Sequence, residues 1–128
     1  MANSVGYHES EDKLKPETLD KHRALTSMQE ELEAADWYDQ RVDAATDPAL
    51  KEILAHNRDE EKEHFVMLLE WYRRHDPKMS NELKNRLFAP GSIVAKEQAD
   101  KGAGNGGSAA DGAGSSLGVG SLKGGQGL

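Results

Sequence analysis

The chain has 128 residues, too few for more than one domain, and no cysteine, so disulfides and thiolate metal sites are excluded. Its formal net charge of −7 argues against nucleic acid or an anionic membrane surface as a partner, because both would repel it. No apolar run has the length of a signal peptide or a membrane-spanning helix, so a cytosolic protein is the default expectation.

Residues 1–14 have little hydrophobic content and no periodicity, which predicts a flexible N-terminal arm before a helical domain at 15–100. The first helix is expected from Pro16, a residue accepted in a first helical turn, to about Val42. Its apolar residues recur in steps of three and four, apart from one longer step near the end, and define one packing stripe: Leu25, Met28, Leu32, Ala35 and Val42.

A second helix is predicted from Pro48, capped by Asp47, to about His75. The link between the first two helices is short, so they should be antiparallel neighbours. A third, shorter helix is expected over 79–88, and residues up to Asp100 could add another turn or two.

Glu61 and His64 carry the main functional signal. In a helix they lie about 60° apart, inside the apolar stripe of the second helix, where we expect both to be buried. A buried acid and imidazole are costly unless compensated, and a metal ion with oxygen and nitrogen ligands is an effective compensation for Glu-x-x-His on an apolar face. The remaining members of the stripe are Leu50, Ile53, Leu54, Phe65, Leu68 and Trp71.

Glu31 is the candidate third ligand, because it lies at the edge of the first helix's stripe, within about 60° of Met28. Glu30 and Glu33 point the other way, and for any one of these glutamates alone a solvated acidic face is the simpler interpretation. Tyr38 borders the same face as Glu31, whereas Trp37 lies outside the main stripe.

This ligand set predicts a dimer. Carboxylate-bridged di-iron sites in four-helix bundles take a Glu from each of two helices and a Glu-x-x-His from each of the other two, and this chain holds half of that set. Oxygen and imidazole ligands without thiolate suit iron or manganese, with zinc possible at equilibrium. The predicted fold is therefore all-α: an antiparallel two-helix hairpin plus a short third helix, completing a four-helix bundle on dimerisation.

The C-terminal quarter differs in composition, because eleven of its last 27 residues are glycine. We assign 101–115 to a disordered Gly-rich linker and 116–128 to a docking peptide. Leu117, Val119 and Leu122 have no use in a linker, and an apolar island on a tether usually orders against a groove of another protein. The alternative is that these three aliphatic residues are incidental.

Two runs of the sequence resemble the encapsulated ferritins: EELEAADWYDQR at 30–41 and AHNRDEEKEH at 55–64, followed by Leu69-Glu70-Trp71. The similarity covers most of residues 17–90. The Leu-Gly-Val-Gly-Ser-Leu island at 117–122 resembles the encapsulin-targeting peptide of the same family.

The resemblance implies a half-ferritin that completes a ferritin-like bundle as a dimer, assembles into a decamer ring of five dimers, and oxidises Fe²⁺ at a di-iron site on the dimer interface. It also implies that an encapsulin shell stores the mineral and that the tail directs the protein into this cytoplasmic nanocompartment. Site residues carry over position by position: the ferroxidase ligands Glu31, Glu61 and His64, an outer site of metal uptake at Glu30 and Glu33, Trp37 beside it, and Tyr38 near the iron centre.

Two other functions remain open at this point. The chain could be a protein of the same fold that only buffers divalent metal. It could also be a structural hairpin whose acidic residues are all solvated, with the tail as its only functional element.

Overall fold

The computed structural model describes residues 6–107, and these residues form helices without any strand. After a 3₁₀ turn at Glu11–Lys13 come four α-helices: α1 (Pro16–Ala44), α2 (Pro48–Arg74), α3 (Pro77–Arg86) and α4 (Ile93–Gly107). The all-α prediction is confirmed, and α1 to α3 begin and end within two residues of their predicted bounds. No helix within 6–107 is long and apolar enough to cross a membrane.

Two Asp-Pro pairs determine where α2 and α3 begin. The Asp47 carboxylate accepts a hydrogen bond of 2.9 Å from the backbone N–H of Leu50, as predicted for an N-cap. Asp76 accepts an equivalent bond of 2.8 Å from the N–H of Met79, so α3 begins at Pro77. The pair Asp76-Pro77 thus starts α3 two residues before the predicted start at 79.

Helices α1 and α2 form the predicted antiparallel hairpin. The Lys21 ammonium lies 5.8 Å from the centre of the Tyr72 ring, near the start of α1 and the end of α2. Towards the other end of the hairpin, Arg58 is 3.1 Å from Asp39. Contacts that run in opposite order along two helices require them to be antiparallel.

The single chain buries very little. Among the residues whose exposure is described, only Ala24 and Met28 of α1 are buried, and α2 has no buried residue. Large apolar side chains of the hairpin remain exposed, among them Leu32, Leu50, Ile53, Val66 and Met67. The predicted stripe of α2 is therefore only partly covered by α1, and Leu50 and Ile53, which we expected to pack, are exposed.

Part of the predicted N-terminal arm contacts α1. The ring of Tyr7 lies 4.9 Å from the ring of His22, whose Nε2 is 3.4 Å from the hydroxyl of Thr26. Residues 6–14 of the arm thus include a 3₁₀ turn and a ring contact with α1, while residues 1–5 lie outside the described part of the chain.

Helix α4 is longer than the sequence indicated. It is capped by the Ser92 hydroxyl, which accepts from the N–H of Ala95 at 3.1 Å, and it runs to Gly107. Asp100 joins it to α3 by accepting from Arg86 at 2.9 Å, and it also accepts from Lys96 at 3.1 Å. The helix extends seven residues into the range assigned to the linker; 108–115 and the docking peptide at 116–128 lie outside the described residues.

Phe88 follows the C-cap of α3 with a φ of 62°, a conformation that favours glycine. Its side chain packs little, since the residue is 79% exposed. We expect the free energy of unfolding in urea to be about 1 kcal/mol higher for Phe88→Gly than for Phe88→Ala, because only glycine lacks the β-carbon that clashes in this conformation. Equal stability of the two variants would show that the backbone at this position carries no strain.

Candidate metal centre

The middle of the hairpin brings three predicted site residues together. Glu31 lies on α1, and Glu61 and His64 lie one turn apart on α2. Each offers one ligand atom, and these atoms all lie within 4.8 Å of one another. The Nδ1 atom of His64 is 3.4 Å from Oε1 of Glu31 and 3.4 Å from Oε1 of Glu61. Within the described residues, this is the one group of three or more His, Asp or Glu side chains close enough to hold a metal ion.

The cluster is less buried than predicted. The side chains of Glu31 and Glu61 are 24% and 23% exposed, and that of His64 is 46% exposed. One chain provides only one wall of the site, because Ile53 and Met67, on the same side of α2 as His64, are exposed as well. The expectation that the acid and imidazole are buried is therefore wrong for the single chain. What indicates a metal site is the convergence of the three ligands.

The ionisable groups of the cluster influence one another strongly. A hydrogen bond with Glu61, partial burial and the negative charge of Glu61 together raise the pKa of Glu31 above its usual value. Burial alone would lower the pKa of His64, but hydrogen bonds and charges from Glu61 and Glu31 outweigh it and raise the pKa. Without metal, Glu31 and His64 therefore hold their protons to a higher pH than usual, and a cation that binds there competes with those protons.

The raised pKa values predict how stability depends on pH. For a group whose pKa is higher in the folded chain, the stabilisation is complete below its ordinary pKa and is lost as pH rises through the folded value. We therefore expect wild type to have a higher thermal unfolding midpoint in EDTA than His64→Asn at low pH. This difference in midpoint should shrink as the pH rises above 6.5, the ordinary pKa of histidine. Thermal unfolding between about pH 5 and pH 8 measures it. An advantage that grows with pH would contradict the prediction.

The other predicted residues lie outside this cluster. Tyr38 is two turns beyond Glu31, about 10 Å along the axis, and the guanidinium of Arg41 lies 5.3 Å from its ring centre. Trp37 is exposed and lines an open groove on α1 with Gln40, Arg41 and Ala44. Glu30 is exposed and Glu33 half-buried, and neither belongs to the cluster.

Sequence reasoning overlooked Arg58. Arg58 lies three residues before Glu61 on α2. Its guanidinium bonds both to Asp59 on α2 and to Asp39 on α1. The available signal was weak: a basic residue on the side of α2 that faces α1. Its partner on α1 is nineteen residues away in sequence, so no local pattern identifies the pair.

Comparison with known proteins supports the resemblance. The EncFtn-like family model matches residues 6–90 of the chain. The encapsulated ferritin-like protein of Rhodospirillum rubrum is 59% identical over 127 residues, covering 95% of this chain and 91% of the relative. A ferritin-like protein of Thermotoga maritima is 45% identical over 96 residues, covering 75% of this chain and 84% of the relative.

A solved structure supports the fold. The crystal structure of a protein from Nitrosomonas europaea superposes on 70% of this chain and 99% of its own with a TM-score of 0.67, at 58% sequence identity. Over that part of the chain, the helical fold is therefore shared with a protein of closely similar sequence.

Proposed function

Because the chain belongs to the EncFtn-like family, we propose that it is a ferroxidase that oxidises Fe²⁺ to Fe³⁺ at a di-iron site and delivers the product for storage inside an encapsulin compartment. The observation that carries this proposal is the convergence of Glu31, Glu61 and His64 within 4.8 Å. Carboxylate and imidazole ligands without thiolate suit iron, which is the substrate of the reaction.

The site needs a second copy of the chain. One hairpin supplies two carboxylates and one imidazole, which is half of a di-iron ligand set. The side of α2 that carries His64 also presents exposed apolar residues, including Ile53 and Met67. A two-fold partner would cover this side and bring a second Glu31, Glu61 and His64 to the same place. The dimers then form the ring of five that the resemblance implies.

The proposed chemistry transfers electrons from a pair of ferrous ions. Each Fe²⁺ loses one electron, and the pair reduces O₂ with two protons to hydrogen peroxide, or hydrogen peroxide with two protons to two waters. Glu61 would be shared by the two irons, and Glu31 and His64 would supply further ligands to each. The two copies bring four carboxylates to two divalent cations, so the net charge of the filled site is close to zero.

The residues outside the cluster have accessory roles in this proposal. Glu30 and Glu33 would form the outer site of metal uptake, with Trp37 beside it, and Tyr38, two turns beyond Glu31 on α1, would be a more distant neighbour of the iron centre. The name of the Rhodospirillum rubrum relative, an encapsulated ferritin-like protein, supports a shell as the partner. Leu117, Val119 and Leu122 would bind that shell.

Aerobic addition of Fe²⁺ to the purified chain tests the proposal and its alternative. Growth of ferric absorbance in the near ultraviolet, faster than in buffer, supports a ferroxidase. Tight binding of Fe²⁺ without oxidation would instead support a metal-buffering protein of the same fold. If neither occurs, the cluster is structural.

Removal of residues 116–128 should separate activity from delivery. All cluster residues lie before this segment, so the truncated chain is expected to oxidise Fe²⁺ at the wild-type rate. Co-expressed with the shell protein, it should no longer be found in purified shells. Replacing Leu117, Val119 and Leu122 by serine in the full-length chain is the matched control and should give the same loss. Truncated protein that still co-purifies with the shell would contradict the assignment of the tail.

A further inference from the structure

Arg58 links the two helices of the hairpin next to the cluster. Its side chain is 25% exposed, its Nε donates to Oδ1 of Asp59 at 3.0 Å, and its Nη1 donates to Oδ1 of Asp39 at 3.1 Å. Asp59 is its neighbour on α2, whereas Asp39 belongs to α1. One guanidinium is therefore oriented by its own helix while it binds the other helix.

The buried apolar residues of the hairpin do little to fix how far one helix slides along the other. The buried residues are Ala24 and Met28, a small and a flexible side chain whose apolar contacts are not directional. A slide of one turn displaces α1 by about 5.4 Å relative to α2. That exceeds the 4.8 Å within which the ligand atoms lie, so it would take Glu31 out of reach of the other two ligands.

The bond to Asp39 opposes such a slide. A hydrogen bond to a charged acceptor is directional and weakens steeply outside about 2.7–3.2 Å. Arg58 is three residues before Glu61, about 4.5 Å along the helix axis, so a register fixed at Arg58 is transmitted to the cluster by less than one turn of α2. A lysine would keep the charge, but its single ammonium lacks the planar fork that serves both carboxylates.

We propose that Arg58 is a positioning residue for the metal site: it binds Asp39 while Asp59 orients it, and so keeps Glu31 in register with Glu61 and His64. Arg58 itself does not touch the metal. This inference rests on the proposed function, since it assigns Arg58 to the same site.

The test uses the full chain with Co²⁺ alone as the probe, because the visible spectrum of bound Co²⁺ reports its ligand geometry. Arg58→Ala and Asp39→Ala are expected to weaken Co²⁺ binding at least about tenfold and to change the spectrum, as losses of supporting contacts around metal ligands do. Arg58→Lys should keep the unfolding midpoint near that of wild type without restoring the spectrum. The matched control is Arg23→Ala, which removes a 2.6 Å bond to Asp20 within α1 and should leave binding unchanged.

Each result decides the role of Arg58. Unchanged affinity and spectrum in Arg58→Ala and Asp39→Ala would overturn the proposal, even if both variants melt at a lower temperature. Should Arg58→Ala fail to fold, Asp39→Ala decides alone, because it keeps the guanidinium and its bond to Asp59. A wild-type chain that binds no Co²⁺ would overturn both this inference and the proposed function. If the wild type binds Co²⁺ and the variants bind it with the same affinity and spectrum, only this inference is overturned.

Discussion

Replacement of Glu31, Glu61 or His64 by alanine is expected to slow aerobic Fe²⁺ oxidation by at least about 100-fold, since loss of even a supporting contact to a metal ligand costs about 10–100-fold. Each variant removes one of the three atoms that converge within 4.8 Å, and a dimer doubles the loss because both copies carry the change. Initial rates of ferric absorbance at equal protein concentration measure the effect.

Glu63→Ala is the matched control for these substitutions. Glu63 is an exposed glutamate between Glu61 and His64 in sequence, and it lies outside the cluster. The substitution Glu63→Ala changes the net charge of the chain by the same amount as Glu31→Ala or Glu61→Ala. We expect its oxidation rate to stay within about twofold of wild type, because exposed charges act weakly at a distance in salt. Full activity in all three ligand variants would eliminate the proposed site.

The helices could be predicted where local chemistry defines them. Asp47-Pro48 and Pro16 fix the starts of α2 and α1, and both predictions are confirmed. The length of α4 could not be predicted in the same way, because its glycine content is typical of a linker. Its bond from Arg86 to Asp100 joins residues fourteen apart in sequence, so no local pattern shows that this segment packs against α3.

The cluster shows the same division between local and long-range information. The spacing of Glu61 and His64 places them on one side of α2, and Glu31 was located by its position at the edge of the stripe of α1. Their convergence in the structure agrees with this prediction. The burial predicted for Glu61 and His64 is not found in the single chain, because helical periodicity identifies an apolar face without showing whether the same chain or another one covers it.

Met67→Lys is expected to dissociate the proposed dimer and to abolish rapid Fe²⁺ oxidation. Met67 is 63% exposed and lies about 60° from His64 around α2, on the side that a second copy would cover. A two-fold interface there would contain both copies of the substitution, and a desolvated ammonium is costly. We expect the dissociation constant to rise at least about 100-fold, which corresponds to about 2.7 kcal/mol. Native mass measurement and the oxidation rate test both effects.

Val66→Lys is the matched control, since Val66 is 58% exposed but lies about 160° from His64 around the helix. It adds the same charge to the adjacent position and should leave the dimer and its activity intact. In Met67→Lys all three ligands remain in the chain, so weak binding of Co²⁺ should persist while oxidation is lost, because a half-site holds no iron pair. An active, dimeric Met67→Lys would show that the two copies do not meet on this side of α2, and the di-iron site would then have to be assembled in some other way.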